Sequence, residues 1–137
     1  MKRLWLTLLA ILLLWIGSMA PSYAFNPSDL ERAKNYTECP GCDLSGADLT
    51  YADLSYSDLK GANFSGADLS HAYLIASDLS NANLTGAKLI EAYLNYVVFD
   101  DADLSQADLE GAYVDDLLGA KLCKTISPYG DTLNDGC

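Results

Sequence analysis

The sequence predicts an all-β solenoid, a stack of narrow coils, on three observations. From Leu44 to Val114 a large apolar residue recurs at every fifth position, Leu at twelve of fifteen places, with Phe64, Phe99 and Val114 at the others. A small residue stands two positions before each, Ala at eleven of the fifteen, the exceptions being Cys42, Ser57, Ser77 and Val97. A second period of twenty overlies the first: Tyr73, Tyr93 and Tyr113 follow it, as do Gly46, Gly66 and Gly86, the pair Asn63 and Asn83, and the pair Ser57 and Ser77.

A period of five cannot make an amphipathic helix, because 3.6 residues per turn would scatter the large residues around the whole circumference. A continuous strand fails as well, since its period of two would send alternate large residues to opposite faces. What fits is a three-residue extended segment with its first and third side chains inward and its middle one outward, followed by a two-residue corner. Gly, Ser, Thr, Asn and Asp crowd the corners, as turn chemistry requires. The twenty-residue period makes four segments close one coil. Coils stack about 4.8 Å apart, so nearly four of them form a rod roughly 18 Å tall. So narrow a coil has no room for two large inward side chains per segment. One is therefore Ala and the other Leu, and the core is filled.

The elements follow in chain order. Met1-Lys2-Arg3 is a positive start, Leu4 to Ile16 is apolar apart from one Thr, and Ser22-Tyr23-Ala24 offers small residues at a cleavage point. The apolar run is shorter than the roughly 20 residues that span a bilayer. Residues 1–24 are thus expected to be a cleaved general-secretory signal, with an uncleaved anchor as the alternative and the one route to a membrane. Residues 25–41 are expected to cap the rod. Asn26-Pro27-Ser28-Asp29 begins like a helix, with Asn26 as N-cap and Pro27 at the first position, so that Leu30 and Ala33 face the first coil. Residues 42–116 form the solenoid. Beyond Val114 the register slips, Ala120 and Leu122 being displaced from the places held by Leu117 and Gly119, which marks the last regular coil. Residues 117–137 then cap the far end, with Leu117, Leu118, Leu122 and Ile126 covering it and Pro128-Tyr129-Gly130-Asp131 turning the tail back. Open ends of a β-coil invite stacking with other chains, so both need covers. A monomer or a weak end-to-end dimer is expected.

The motif Ala-(Asp/Asn)-Leu-X-X, sustained over fifteen units, resembles the pentapeptide-repeat family. That resemblance implies a right-handed quadrilateral β-helix of about four coils. The Cys-Pro-Gly-Cys entry at 39–42 and the Leu-Cys-Lys-Thr exit closing at Gly136-Cys137 resemble exported cyanobacterial members, which implies the thylakoid lumen or periplasm.

Composition narrows the partners. The chain carries a net charge of −11, and loss of residues 1–24 would leave six basic against nineteen acidic residues, or −13. Such a rod is repelled by phosphate backbones and anionic lipid, so direct nucleic-acid binding is not expected. Some members of the family the chain resembles mimic DNA and occupy topoisomerases. That alternative would need an intracellular form.

Four cysteines in a small exported domain imply disulfides. Three pairings are possible; Cys39 with Cys42 and Cys123 with Cys137 are favoured, because each pair brackets one end of the stack. The sharper reading of Cys39-Pro40-Gly41-Cys42 is a redox dithiol. It is weakened by Cys42 taking an inward position of the first coil, whereas reactive cysteines of such sites open a helix.

No catalytic, cofactor or metal constellation emerges, and the chain reads as no enzyme. His71 stands at a corner with Tyr51 one coil before and Glu91 one coil after, without a nucleophile evident beside it. Asp100, Asp101, Asp103, Asp115 and Asp116 are local acids on outward or corner positions, read as solvated charge because a hard cation needs six to eight convergent oxygens. In the column Asp48, Asp68, Lys88, Asp108 the lysine relieves repulsion, while Asp58 and Asp78 stack without such relief. Ser57 and Ser77 are expected to bond to each other or to backbone. The candidate binding face is the column Tyr73, Tyr93, Tyr113, with Asp53 beneath it and Ile75, Ile90 and Val98 as further outward apolar residues. Stacked rings stabilise β structure in their own right; they also suit a protein or glycan contact. The reading is a binding or scaffold module with a protein partner.

Overall fold

The computed structural model describes residues 25–137. The leader expected over residues 1–24 lies outside them. One helix, α1 (Pro27–Asn35), precedes the coil. Extended segments of three residues leave only brief strands: β1 (Tyr93–Leu94) and β2 (Tyr113–Val114) pair in parallel, and β3 (Thr125–Ile126) and β4 (Thr132–Leu133) form an antiparallel pair. Single parallel bridges supply the rest of the ladder. From Glu38 with Asp58 to Lys88 with Asp108, each joins residues twenty apart.

All corners from Cys39 to Ala112 but that of Leu54 to Ser57 are closed the same way. The amide of the small residue donates to the carbonyl of the preceding large one, as from Ala47 to Leu44 at 3.1 Å. The second corner residue has positive φ, about 53° to 71°, at every fifth position from Gly41 to Gly111. With only that residue left-handed, the corner is a type II turn. Glycine fills six of these fifteen places, and Tyr51, Tyr56, His71, Ala76, Asn81, Glu91, Tyr96, Asp101 and Gln106 fill the others.

The Asp or Asn between the inward residues has a local task. Its Oδ1 accepts the amide two residues on, across the start of the corner: Thr50 to Asp48 at 3.1 Å, Ser65 to Asn63 at 3.2 Å, Ser80 to Asp78 at 3.0 Å and Ser105 to Asp103 at 2.9 Å. These are Asx turns, which satisfy a corner donor that the ladder cannot reach. Asp43, Asn63 and Asn83 also join one coil to the next through amide bonds of 3.1 and 3.2 Å.

The core is a filled column. Leu44, Leu54, Leu74, Leu84 and Leu104 are fully buried, with Ala47, Ala67 and Ala72 beside them. Ser57 and Ser77 point inward but do not bond to each other. Ser77 donates to the Leu74 carbonyl at 2.6 Å and Ser57 to the Ser55 carbonyl at 3.4 Å.

The ladder reaches beyond Cys42 and Asp116 at both ends. Glu38 bridges Asp58, so Thr37-Glu38-Cys39 is already a coil segment and Pro40-Gly41 its corner. After Val114 pairing resumes with two residues fewer, Asp103 opposite Lys121 and Asp108 opposite Ile126. The slip is thus a shortened connection, not the end of the coil. The inward places of the last segment go to Thr125 and Ser127, both buried, with Thr125 Oγ1 donating to the Leu104 carbonyl at 2.7 Å.

Two expected covers are therefore corrected. Ile126 occupies an outward middle place, half-buried, and Leu118 is 75% exposed on the shortened connection. Leu122, buried, and Leu117 and Leu133, partly buried, pack on the core instead. At the other end, Asn26 caps α1 by accepting the Ser28 amide at 3.0 Å, while Ala33 is buried and Leu30 packs beside it. The helix also closes the first coil's edge: the Asn26 amide donates to the Asp43 carbonyl and Asp29 Oδ2 accepts the Asp43 amide, each at 3.0 Å.

Candidate binding face

The parallel register brings Asp53, Tyr73, Tyr93 and Tyr113 into one outward column. Ring centroids lie 4.8 Å apart from Tyr73 to Tyr93 and from Tyr93 to Tyr113, with interplanar angles of 7° and 10°. The spacing is that of adjacent strands, so the backbone ladder sets the stack. Tyr73 and Tyr113 are exposed and Tyr93 between them is half-buried. Val98 is exposed on the neighbouring face, and Ile75 and Ile90 sit half-buried at corners.

Tyrosine at the middle place gives up the Asx turn, because its side chain carries no acceptor within reach of the second amide along. Three successive coils make the same exchange on one face. A lost bond of this kind is worth about 0.5–1.5 kcal/mol in stability, against about 0.5–1.5 kcal/mol for a stacked aromatic pair. The column is near break-even for folding.

The other candidates are dispersed. His71 stacks on Tyr51 at 4.8 Å, and its Nδ1 lies 3.4 Å from Glu91 Oε2, a corner column open to solvent. Lys88 approaches Asp68 at 3.9 Å. The pair Asp58 and Asp78 does have relief, contrary to expectation: Lys60 Nζ lies 3.0 Å from Asp78 Oδ2, because the corner residue after Asp58 reaches along the stack. Burial pushes the Asp78 carboxyl up, but the Ser80 hydroxyl and amide and Lys60 outweigh it and hold the carboxyl below its usual range. The bond to Asp78 raises Lys60 in turn. Among the described residues no group of His, Cys, Asp and Glu has the arrangement to hold a metal ion.

Cys39 is bonded to Cys42 and Cys123 to Cys137. Cys39 and Cys42 are fully buried, and α1 ends before them at Asn35, so neither sulfur sits at a helix N-terminus. Cys39 occupies the large place and Cys42 the small place on either side of a corner. The disulfide replaces the Leu and Ala of an ordinary repeat. The sequence signal was present in Cys39 and Gly41, five residues before Leu44 and Gly46.

A second feature was not legible in the sequence, since it arises from the shortened connection. A cleft of about 770 Å³ opens at the C-terminal end of the rod, between β2 and the turned-back tail.

A profile for pentapeptide repeats matches residues 42–81 and 77–114, more than half of the chain. No curated protein matches in a sequence comparison. Among solved structures, a pentapeptide repeat protein of the Arabidopsis thaliana thylakoid lumen is 32% identical, with a TM-score of 0.59 over 63% of this chain and 61% of that one. One from the cyanobacterium Cyanothece 51142 is 31% identical, with a TM-score of 0.46 over 62% of this chain and 54% of that one. One from the cyanobacterium Nostoc, involved in heterocyst differentiation regulation, is 35% identical, with a TM-score of 0.39 over 70% of this chain and 51% of that one. The matches thus span about half to three fifths of those proteins' lengths. Proteins of this kind form right-handed quadrilateral β-helices. The fifteen-fold register, the type II corners and the twenty-residue ladder are the physical content of that match, and the chain belongs to the pentapeptide-repeat family.

Proposed function

We propose that the protein is an exported, non-enzymatic binding or scaffold module, a rod of about four coils closed by a disulfide-bonded tail, whose partner is a protein engaged through the face of Tyr73, Tyr93 and Tyr113. The observation that carries this reading is the exchange made three times on that face. Asx turns, which stabilise the corner, give way to stacked rings that leave two of three tyrosines exposed. Amphipathic rings at fixed spacing on a stiff support are well suited to contact, because little side-chain freedom is lost on binding. Export is supported by the two disulfides and by the likeness to a lumenal protein.

The test is a crosslinked pull-down from the native host beside a Tyr73→Ser/Tyr93→Ser/Tyr113→Ser variant shown to melt cooperatively. A partner captured by the parent and lost by the variant is the expected result. The same catch from both would return the column to a stabilising role.

A further inference from the structure

The column of tyrosines ends at β2, and β2 is an edge. Its two-stranded sheet contains only β1 on the other side, and among the described residues no segment bridges its far edge. At most other large places, Phe99 excepted, the amide donates to the following coil, as from Leu84 to the Asp103 carbonyl at 2.8 Å and from Leu89 to the Asp108 carbonyl at 2.7 Å. Val114 has no following coil, because the shortened connection carries the chain past this face. The tail instead turns over the neighbouring segment, and the cleft of about 770 Å³ is the space left between. Tyr113 and Tyr129, 54% and 93% exposed, stand at its sides.

Charge selects the occupant. Asp115, Asp116 and Asp131 line the cleft, and no Lys, Arg or His does. The ion pairs of the described residues fall on Asp29, Asp68, Asp78, Glu91 and Asp103, so none of these three carboxylates meets a cation; Asp115 accepts the Asn95 side-chain amide at 3.2 Å and the Tyr96 amide at 2.8 Å, and Asp116 Oδ1 accepts the Leu118 amide at 3.1 Å. A second copy of the chain is a poor fit. Its opposite end is sealed by α1 over Asp43, and end-to-end contact of two clefts would set three aspartates against three in a molecule of net charge −11.

We propose that this end of the rod is a β-augmentation site for an extended basic segment of another protein. The segment would lie parallel to β2, accept the Val114 amide, set an apolar or aromatic side chain on Tyr113 and place Lys or Arg beside Asp116 and Asp131. Main-chain bonds at an exposed edge supply affinity in such docking, and the alternate side chains supply selectivity. The site lies beyond the face reading above and can fail separately from it.

The test follows backbone amides of the 15N-labelled full chain while a Lys-Tyr-Lys-Tyr-Lys-Tyr peptide is added, with Glu-Tyr-Glu-Tyr-Glu-Tyr as the control. Expected are saturable shifts at Val114, Asp116 and Asp131 with the basic probe alone, weakened by salt. Val114→Pro, which removes the donor, should weaken binding about tenfold. Asp116→Asn/Asp131→Asn, which leaves the backbone untouched, should do likewise. Unchanged affinity in that double variant, or no saturable shift, would overturn the proposal. So would shifts centred on Tyr73 and Tyr93 with Val114 silent, which would favour the face instead. Shifts at Val114 on changing protein concentration without probe would assign the edge to a second copy. A cleft already perturbed in the unprocessed chain would assign it to residues 1–24.

Discussion

Asp48 Oδ1 accepts both donors of Thr50, its hydroxyl at 2.7 Å and its amide at 3.1 Å. Those two bonds, hydroxyl first, hold the Asp48 carboxyl below its ordinary value. A carboxyl lowered in the fold releases its proton more readily there than in the unfolded chain. Its contribution is therefore complete above the unfolded value near pH 4 and disappears as pH falls through the folded one. Asp78 behaves alike. Stability measured by denaturant titration should fall steadily below about pH 4. Asp48→Asn keeps the acceptor without the titration and should flatten that fall, whereas Asp48→Ala should lower stability at every pH. Equal acid sensitivity of Asp48→Asn and the parent would remove Asp48 from the account.

Leu84 is fully buried, and the bridges of Asn83 to Asn63 and Asp103 place it in one column with Phe64 and Leu104. Leu84→Asp would put an unpaired carboxylate where no donor waits, a penalty of several kcal/mol and comparable to the whole stability of a small domain. The variant should not fold at neutral pH. Leu84→Ala, leaving a cavity, should cost about 2–5 kcal/mol. Tyr93→Ser, which removes two stacked pairs on the outer column, should cost about 1–3 kcal/mol and still leave a folded chain. A cooperative, near-parental melt of Leu84→Asp by circular dichroism would contradict the packed core.

The period of five made the solenoid and the inward residues legible because a single geometric rule governs every segment. What escaped was set by exceptions. The sequence marks Leu117 and Gly119 as off-register, but only the structure shows that pairing resumes two residues early at Lys121 and Ile126, opening the cleft beside β2. Leu118 was expected inside on hydrophobicity alone. It sits in the bypass, outside the rule that turns its neighbours inward. The relief of Asp78 by Lys60 escapes the column periodicity for a related reason, because a long corner side chain crosses from one column to the next.

The corners carry a second, testable regularity. Ala76 is an exposed left-handed residue with φ 55°, a conformation costing an L residue roughly 1 kcal/mol that glycine avoids. Ala76→Gly should therefore be neutral or stabilising by up to about 1 kcal/mol, the reverse of its usual effect. Gly66, with φ 65° and open space where a Cβ would stand, offers the converse. Gly66→Ala should destabilise by about 1 kcal/mol through backbone strain alone. Parallel changes in thermal midpoint for both variants would show that the corner is not governed by φ.

The two disulfides should differ in how they open. Cys137 is exposed near the chain's end, while Cys39 and Cys42 are buried in the first coil. Exchange requires a thiolate to reach a sulfur, so mild reductant followed by alkylation and mass analysis should label Cys123 and Cys137 before Cys39 and Cys42. Opening the former frees a fifteen-residue loop, worth about 3 kcal/mol on the chain-entropy model, and Cys137→Ser should lower the melting midpoint accordingly. Opening the latter breaks a corner into which both sulfurs are packed, so it should accompany unfolding of the α1 end. Rapid reduction of Cys39 and Cys42 in the folded chain, ahead of the tail, would instead identify Cys39-Pro40-Gly41-Cys42 as a working dithiol and reverse the structural reading of that corner.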